Sequence, residues 1–103
     1  MQGSGGGRVN LVFKVGETEK HIVEYSRDRF TRAVNIYVDG NIVLKSVFMS
    51  STRNTRTYEM NVGEKEVHIV RIEVTRPKFL KGLRNSRYDI YVDNSHVQSF
   101  LAF

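Results

Sequence analysis

The sequence predicts an all-β fold, an eight-stranded antiparallel β-sandwich built from two tandem four-stranded repeats. Apolar and polar residues alternate with a period of two, turn-forming residues punctuate them at short intervals, and part of the first half returns in the second. Val15, Gly16, Glu17, Glu19, His21, Ile22 and Val23 recur with identical spacing as Val62, Gly63, Glu64, Glu66, His68, Ile69 and Val70, 47 residues on. Ile36-Tyr37-Val38-Asp39 returns as Ile90-Tyr91-Val92-Asp93 at an offset of 54, so the second copy carries an insertion around residues 76 to 81. Matched blocks in the same order mark an internal duplication. Two copies can close on each other about a pseudo-twofold axis, whereas an open solenoid needs three or more.

Each copy reads as four strands. Val9, Leu11, Phe13 and Val15 form the apolar face of the first, and Gly16 ends it. The second, residues 20 to 26, sets His21, Val23 and Tyr25 together, and the third, 33 to 39, does the same with Val34, Ile36 and Val38. Asp39-Gly40-Asn41 is a hairpin signal, because a type I′ turn needs the positive φ that Asp, Asn and Gly tolerate best. A fourth strand is expected over residues 42 to 49. Copy two repeats the scheme with Tyr58, Met60 and Val62, then His68, Val70, Ile72 and Val74, then Tyr88, Ile90 and Val92, and last about residues 97 to 103.

Residues 1 to 7, Met-Gln-Gly-Ser-Gly-Gly-Gly, read as a flexible leader. Residues 8 to 103 suffice for one domain, with half-repeats at about 8–50 and 56–103. The chain has no cysteine, which excludes disulfides, thiolate zinc sites and cysteine nucleophiles and agrees with a cytoplasmic setting. No apolar run reaches the roughly 18 residues of a membrane span, so no membrane association is expected. The balance of 16 Lys plus Arg against 11 Asp plus Glu favours anionic partners.

The run His21-Ile22-Val23-Glu24-Tyr25, a polar bend, and Val34-Asn35-Ile36-Tyr37-Val38-Asp39-Gly40 resembles the N-terminal domain of the Fas apoptotic inhibitory molecule family. Tyr58-Glu59-Met60-Asn61-Val62-Gly63 and Tyr88-Asp89-Ile90-Tyr91-Val92-Asp93 resemble the later strands of that domain. The resemblance implies a noncatalytic, protein-interacting β-sandwich. The chain departs from the family in having no Trp, and Asn94 stands where the second hairpin would have Gly.

Antiparallel strands send alternate connections to opposite ends of a sandwich. One end then receives Glu17, Glu19, Asp39, Glu64, Glu66 and Asp93, against Lys20 and Lys65. The other receives longer connections holding Arg27, Arg29, Arg32, Arg53, Arg56, Arg76, Lys78, Lys81, Arg84 and Arg87, with Asp28 the one acid among them. These ten cations form the candidate binding surface. The first expectation is a noncatalytic interaction or scaffolding module for an unidentified protein partner of acidic surface. The alternative is a nucleic-acid-binding domain using the same end, with Phe30, Phe79 and Tyr88 near enough to stack on bases. Against both stands a plainer expectation, in which Phe30, Phe79, Leu80 and Leu83 plug the core and the arginines are merely solvated. Exposed sheet edges, with Tyr37 and Tyr91 on the outer faces, would allow a homodimer.

No enzyme signature is present, and no catalytic residue is assigned. The chain lacks a nucleophile elbow and a phosphate-cradling glycine loop. Glu17 and Glu19 are expected to be solvated turn residues. His21, His68 and His96 lie toward the acidic end without zinc-ligand spacing, so no metal or cofactor is expected. Hydrogen bonding to a backbone group is the expected role of His21 and His68.

Overall fold

The computed structural model describes residues 8–28, 30–43, 47–76 and 86–102. The chain is all-β, with strands β1 (Arg8–Val15), β2 (His21–Asp28), β3 (Val34–Val38), β4 (Asn41–Ile42), β5 (Phe48–Ser51), β6 (Thr55–Val62), β7 (His68–Thr75), β8 (Ser86–Val92) and β9 (Ser95–Ala102). One antiparallel sheet has the order β1-β2-β3-β4 and the other the order β5-β6-β7-β8-β9. No helix among the described residues is long and apolar enough to cross a membrane.

Period-two alternation builds the core as the sequence requires. Val9, Leu11, Phe13 and Val15 of β1 are buried, as are Val23 and Tyr25, Ile36, Tyr58, Met60 and Val62, Val70, Ile72 and Val74, and Tyr88 and Ile90. At its centre Tyr25 meets Tyr58 and Tyr88 edge-on, both at ring-centroid distances of 5.6 Å. Three large rings in T-shaped contact add favourable quadrupole geometry to the area they bury. Burial pushes the Tyr25 phenol well above its ordinary value.

The strand count corrects the expected eight. The segment expected as one strand over 42 to 49 is divided between the sheets: Asn41 and Ile42 pair with β3, and Phe48–Ser51 pairs with β6. Val43 and Val47 pack against the core on either side of the crossing. A lone continuation along β3 would leave the β6 edge open, and the crossing covers that edge with a ladder from Phe48↔Glu59 to Ser51↔Arg56. The long connection expected at residues 50 to 56 is therefore a tight hairpin, closed by Thr52 N–H donating to the Thr55 carbonyl at 2.8 Å.

Three of the expected loop arginines are strand residues. Arg27 pairs with Val9 and Val34, Arg56 with Val74 and Ser51, and Arg87 with Thr75 and Leu101, which places their backbone groups in ladders.

Both two-residue hairpins use positive φ: Asp39 at 52° with Gly40 at 84°, and Asp93 at 51° with Asn94 at 68°. Asn94 thus fills the left-handed position that glycine occupies in the first hairpin.

Candidate functional site

The turns of the first three hairpins named by sequence meet the fourth at one pole. Glu19 and Glu66 hold them there by reciprocal exchange. The Glu19 carboxylate accepts N–H groups of Glu64 at 2.6 Å, Lys65 at 2.7 Å and Glu66 at 3.0 Å. The Glu66 carboxylate accepts those of Glu17 at 2.8 Å, Thr18 at 2.8 Å and Glu19 at 2.9 Å. Each acid therefore satisfies the turn that carries the other. Glu17 alone of the first pair follows the expectation of a solvated side chain. Glu19 does not, because its oxygens are spent on backbone donors.

Behind each glutamate stands a histidine held between two carboxylates. His21 Nε2 lies 2.6 Å from Glu19 Oε2 and Nδ1 lies 2.5 Å from Asp39 Oδ2. His68 Nε2 lies 2.5 Å from Glu66 Oε2 and Nδ1 lies 2.6 Å from Asp93 Oδ2. The partners are side chains and not the backbone groups expected. An ionised carboxylate can only accept, so below the raised pKa of each histidine both ring nitrogens donate and the ring is an imidazolium held between two carboxylates. Asp39 and Asp93 also accept the N–H of Ile22 and Ile69, both at 2.9 Å, tying the hairpins to β2 and β7.

These contacts set the acid–base behaviour of the pole. The Glu66 N–H, the His21 ring and the other turn N–H groups hold the Glu19 carboxyl at about 2. Glu66 is held well below the usual carboxylate range by the Glu19 N–H, His68 and the Glu17 N–H. Asp39 raises His21, with Glu19 adding to it, and Asp93 and Glu66 raise His68. The signs oppose one another across pH. The carboxylates contribute stability that is complete above their ordinary value of 4.5 and is lost as pH falls through the lowered one. The histidines contribute stability complete below 6.5 and lost as pH rises through their raised values. The melting temperature is therefore expected to plateau between pH 4.5 and 6.5 and to fall on both sides, with the alkaline fall flattened in a His21→Gln, His68→Gln variant. Calorimetry across pH checks this, and an alkaline limb unchanged in the variant would refute the assignment.

The opposite pole holds the candidate surface. Inward positions follow one parity along each strand, and three strands continue that parity one step past the buried core. Val23 and Tyr25 lead to Arg27, Met60 and Tyr58 lead back to Arg56, and Ile72 and Val74 lead to Arg76. These three join Arg32 and Arg53 around one cavity of 110 Å³, with Ser51, Thr52, Asn54 and Thr55 on its rim and Tyr25, Tyr58 and Val74 beneath. No carboxylate among the described residues lines it. Asp28, the one acid expected among these cations, instead accepts the N–H of Phe30 at 2.8 Å and of Thr31 at 3.0 Å and shapes the β2–β3 turn. Arg27 Nε is buried with no hydrogen-bond partner among the described residues, and its guanidinium lies 6.0 Å from the Tyr88 ring centroid.

The structure thus gathers Arg27, Arg32, Arg53, Arg56 and Arg76. Arg87 falls elsewhere: it has the outward parity of β8, and its Nε donates to Asp89 at 3.1 Å. Arg29, Lys78, Lys81 and Arg84, with Phe79, Leu80 and Leu83, lie outside the described residues. Two aromatic expectations are corrected. Tyr88 is 0% exposed and cannot stack on a base, and Phe30 is 85% exposed and plugs nothing. The reason is parity for Tyr88, which shares the inward face with Ile90, and the tight Asp28-capped turn for Phe30.

The outer face of the second sheet carries a polar ladder that sequence reasoning left unread. The Arg71 guanidinium covers the Tyr91 ring at 4.3 Å and donates to Glu73 and Asn94. Tyr91 also meets His96 edge-on at 5.2 Å, so cross-strand packing accounts for it. Asp89, His96 and Ser99 cluster nearby, but His96 Nε2 faces both Asp89 Oδ1 and Ser99 Oγ. A nucleophilic triad needs the acid and the hydroxyl on different ring nitrogens, so this cluster is not arranged as one. Burial pushes Asp89 up, and the bonds from Ser99, His96 and Arg87 outweigh it and hold the carboxyl below its ordinary value.

In comparisons with known proteins, no family model, curated protein or solved structure matches this chain.

Proposed function

We propose that this protein is a noncatalytic binding module whose recognition site is the arginine-lined cavity, which takes an anionic group presented by a protein partner. The convergence of five arginines on one recess, with no carboxylate lining it among the described residues, carries this reading. Solvated surface arginines ordinarily sit among acids of opposite sign, and gathering five of them costs self-repulsion that an anion would relieve. We further read the chain as two tandem copies, about 8–50 and 56–103, closed upon each other, in a cytoplasmic setting. The mutual use of Glu19 and Glu66 supports the duplication, because each copy offers the other the same acceptor. A protein-interacting role also accords with the family that the strand motifs resemble.

Nucleic acid is the weaker reading. Sequence-tolerant single-strand binding stacks bases on several exposed aromatic platforms. Here the tyrosines beneath the recess, Tyr25 and Tyr58, are buried with Tyr88, leaving Phe30 as the exposed ring among the described residues expected at this end. The test is an Arg32→Gln, Arg53→Gln, Arg56→Gln variant, all at exposed positions, compared with the parent for binding a hexaglutamate peptide and an oligothymidylate by fluorescence anisotropy. Peptide binding weakened at least about tenfold in the variant, with the melting temperature kept, is expected. Peptide affinity indifferent to the three changes would overturn the proposal, and tighter oligonucleotide binding with a steep logarithmic salt slope would replace it with the nucleic-acid reading.

A further inference from the structure

The anion that fits this cavity can be specified from its size, its donors and the strand beside it. At 110 Å³ the recess is well below the roughly 300–1,000 Å³ of cavities that enclose a whole small molecule. It would hold several waters, at about 10–15 Å³ each, or one compact polyatomic head group. The buried Tyr25, Tyr58 and Val74 close its inner side, which favours a group with one point of attachment. A phosphodiester in a nucleic-acid backbone continues in two directions and carries a single charge. A phosphomonoester has one attachment, approaches two negative charges at neutral pH, and offers three strong acceptor oxygens.

The donors match that description. Guanidinium groups bind phosphoryl oxygens through planar, paired N–H groups, and here they come from separate strands and turns on several sides of the recess. Ser51, Thr52 and Thr55 add hydroxyl groups and Asn54 an amide at the rim. Arg27, whose Nε is buried with no partner among the described residues, also lines the recess.

The neighbouring strand indicates where the phosphate would come from. β5 is the outer strand of its sheet, no described strand pairs with its far edge, and all four of its residues are exposed. Its last residue, Ser51, lines the cavity. A peptide adding to this edge as a further strand would run past the mouth of the recess.

We infer that the cavity is a receptor for a phosphorylated side chain on an extended protein segment that pairs with the free edge of β5. This rests on the proposed binding function and narrows it to one ligand chemistry. Specificity comes from the dianion in the recess, and the backbone ladder adds affinity that is independent of sequence.

The experiment uses the full chain and, beside the hexaglutamate and oligothymidylate above, four further probes: an octapeptide of alternating Val and Thr with one central phosphothreonine, the same peptide unphosphorylated, inorganic phosphate, and diethyl phosphate. Titrations are followed by anisotropy for the peptides and by amide NMR shifts for the small anions. The phosphopeptide is expected to bind at least about tenfold more tightly than its unphosphorylated form. Inorganic phosphate should shift the amides of residues 51 to 55 where diethyl phosphate does not. Arg27→Lys, which keeps the charge but removes the fork and the buried Nε, should lose most of that tenfold difference while retaining its melting temperature. Should Arg27→Lys lower the melting temperature, Arg53→Lys at an exposed position supplies the same test. Equal affinity for the two peptides would overturn the inference. If hexaglutamate binding still depended on Arg32, Arg53 and Arg56, the broader function would survive that result. Preference for diethyl phosphate, or for an oligothymidylate over the phosphopeptide, would overturn it in favour of a diester ligand.

Discussion

Gly16→Ala and Gly63→Ala are expected to be the most damaging single substitutions in this protein, each lowering stability by roughly 2–4 kcal/mol. The two glycines sit at φ 102° and 112°, a region that side-chain-bearing residues rarely occupy. A methyl group at Gly16 would lie 2.0 Å from the Glu19 carbonyl oxygen, and one at Gly63 would lie 2.0 Å from that of Glu66. Both obstacles are backbone atoms inside a tight turn, so no side-chain rotation relieves the clash. Relief requires moving the very turn whose N–H groups grip the opposite glutamate, and the damage spreads to both turns. In a domain of this size the melting temperature should fall by about 10–25 °C. Gly40→Ala is the control: its φ is 84° but nothing lies within 4 Å, so only the left-handed backbone cost of about 1–2 kcal/mol should appear. Equal losses at Gly40 and Gly16 in denaturant titration would show that the contact with the carbonyl is not the cause.

Glu66→Gln is expected to produce the second largest loss despite leaving the side chain nearly the same size. In Glu66 both oxygens accept, from Glu17, Thr18 and Glu19 N–H groups and from His68. An amide must turn its NH₂ toward one of those sides, setting donor against donor, and it also removes a charge that His68 needs. The melting temperature should fall by about 10 °C, and Glu19→Gln should behave alike because its partners mirror these. The double variant should fall by less than the sum of the two. Once one arm is lost the turns separate, and the other arm has less to hold. Strictly additive losses measured by calorimetry would mean that the two glutamates act as independent turn acceptors and not as a clasp.

The signal for that clasp was present in the chain. Glu19 and His21 belong to the block that returns as Glu66 and His68, and Asp39 to the one that returns as Asp93. Repetition marks the residues but gives no distance between the copies, so solvation and backbone hydrogen bonding were the ordinary expectations for a turn glutamate and a strand histidine. The candidate site was legible to a similar degree. Chain order assigns the arginines to one pole, yet Arg87 sits only two residues from Asp89 and is drawn onto the outer face.

What the sequence determined by itself was local and periodic: strands from alternation, turns from Gly16, Gly40 and Gly63, and sorted charge from antiparallel zigzag. Those follow from backbone sterics and from the two-residue repeat of side-chain direction, which need no knowledge of distant residues. Only the tertiary structure decided that Ile42 and Phe48 belong to different sheets, that three strands carry their inward parity past the buried core to place arginines around one recess, and that Glu19 and Glu66 each close the turn that carries the other. All three depend on which edge or donor lies unpaired nearby once the sheets meet, and that is a property of the assembled fold.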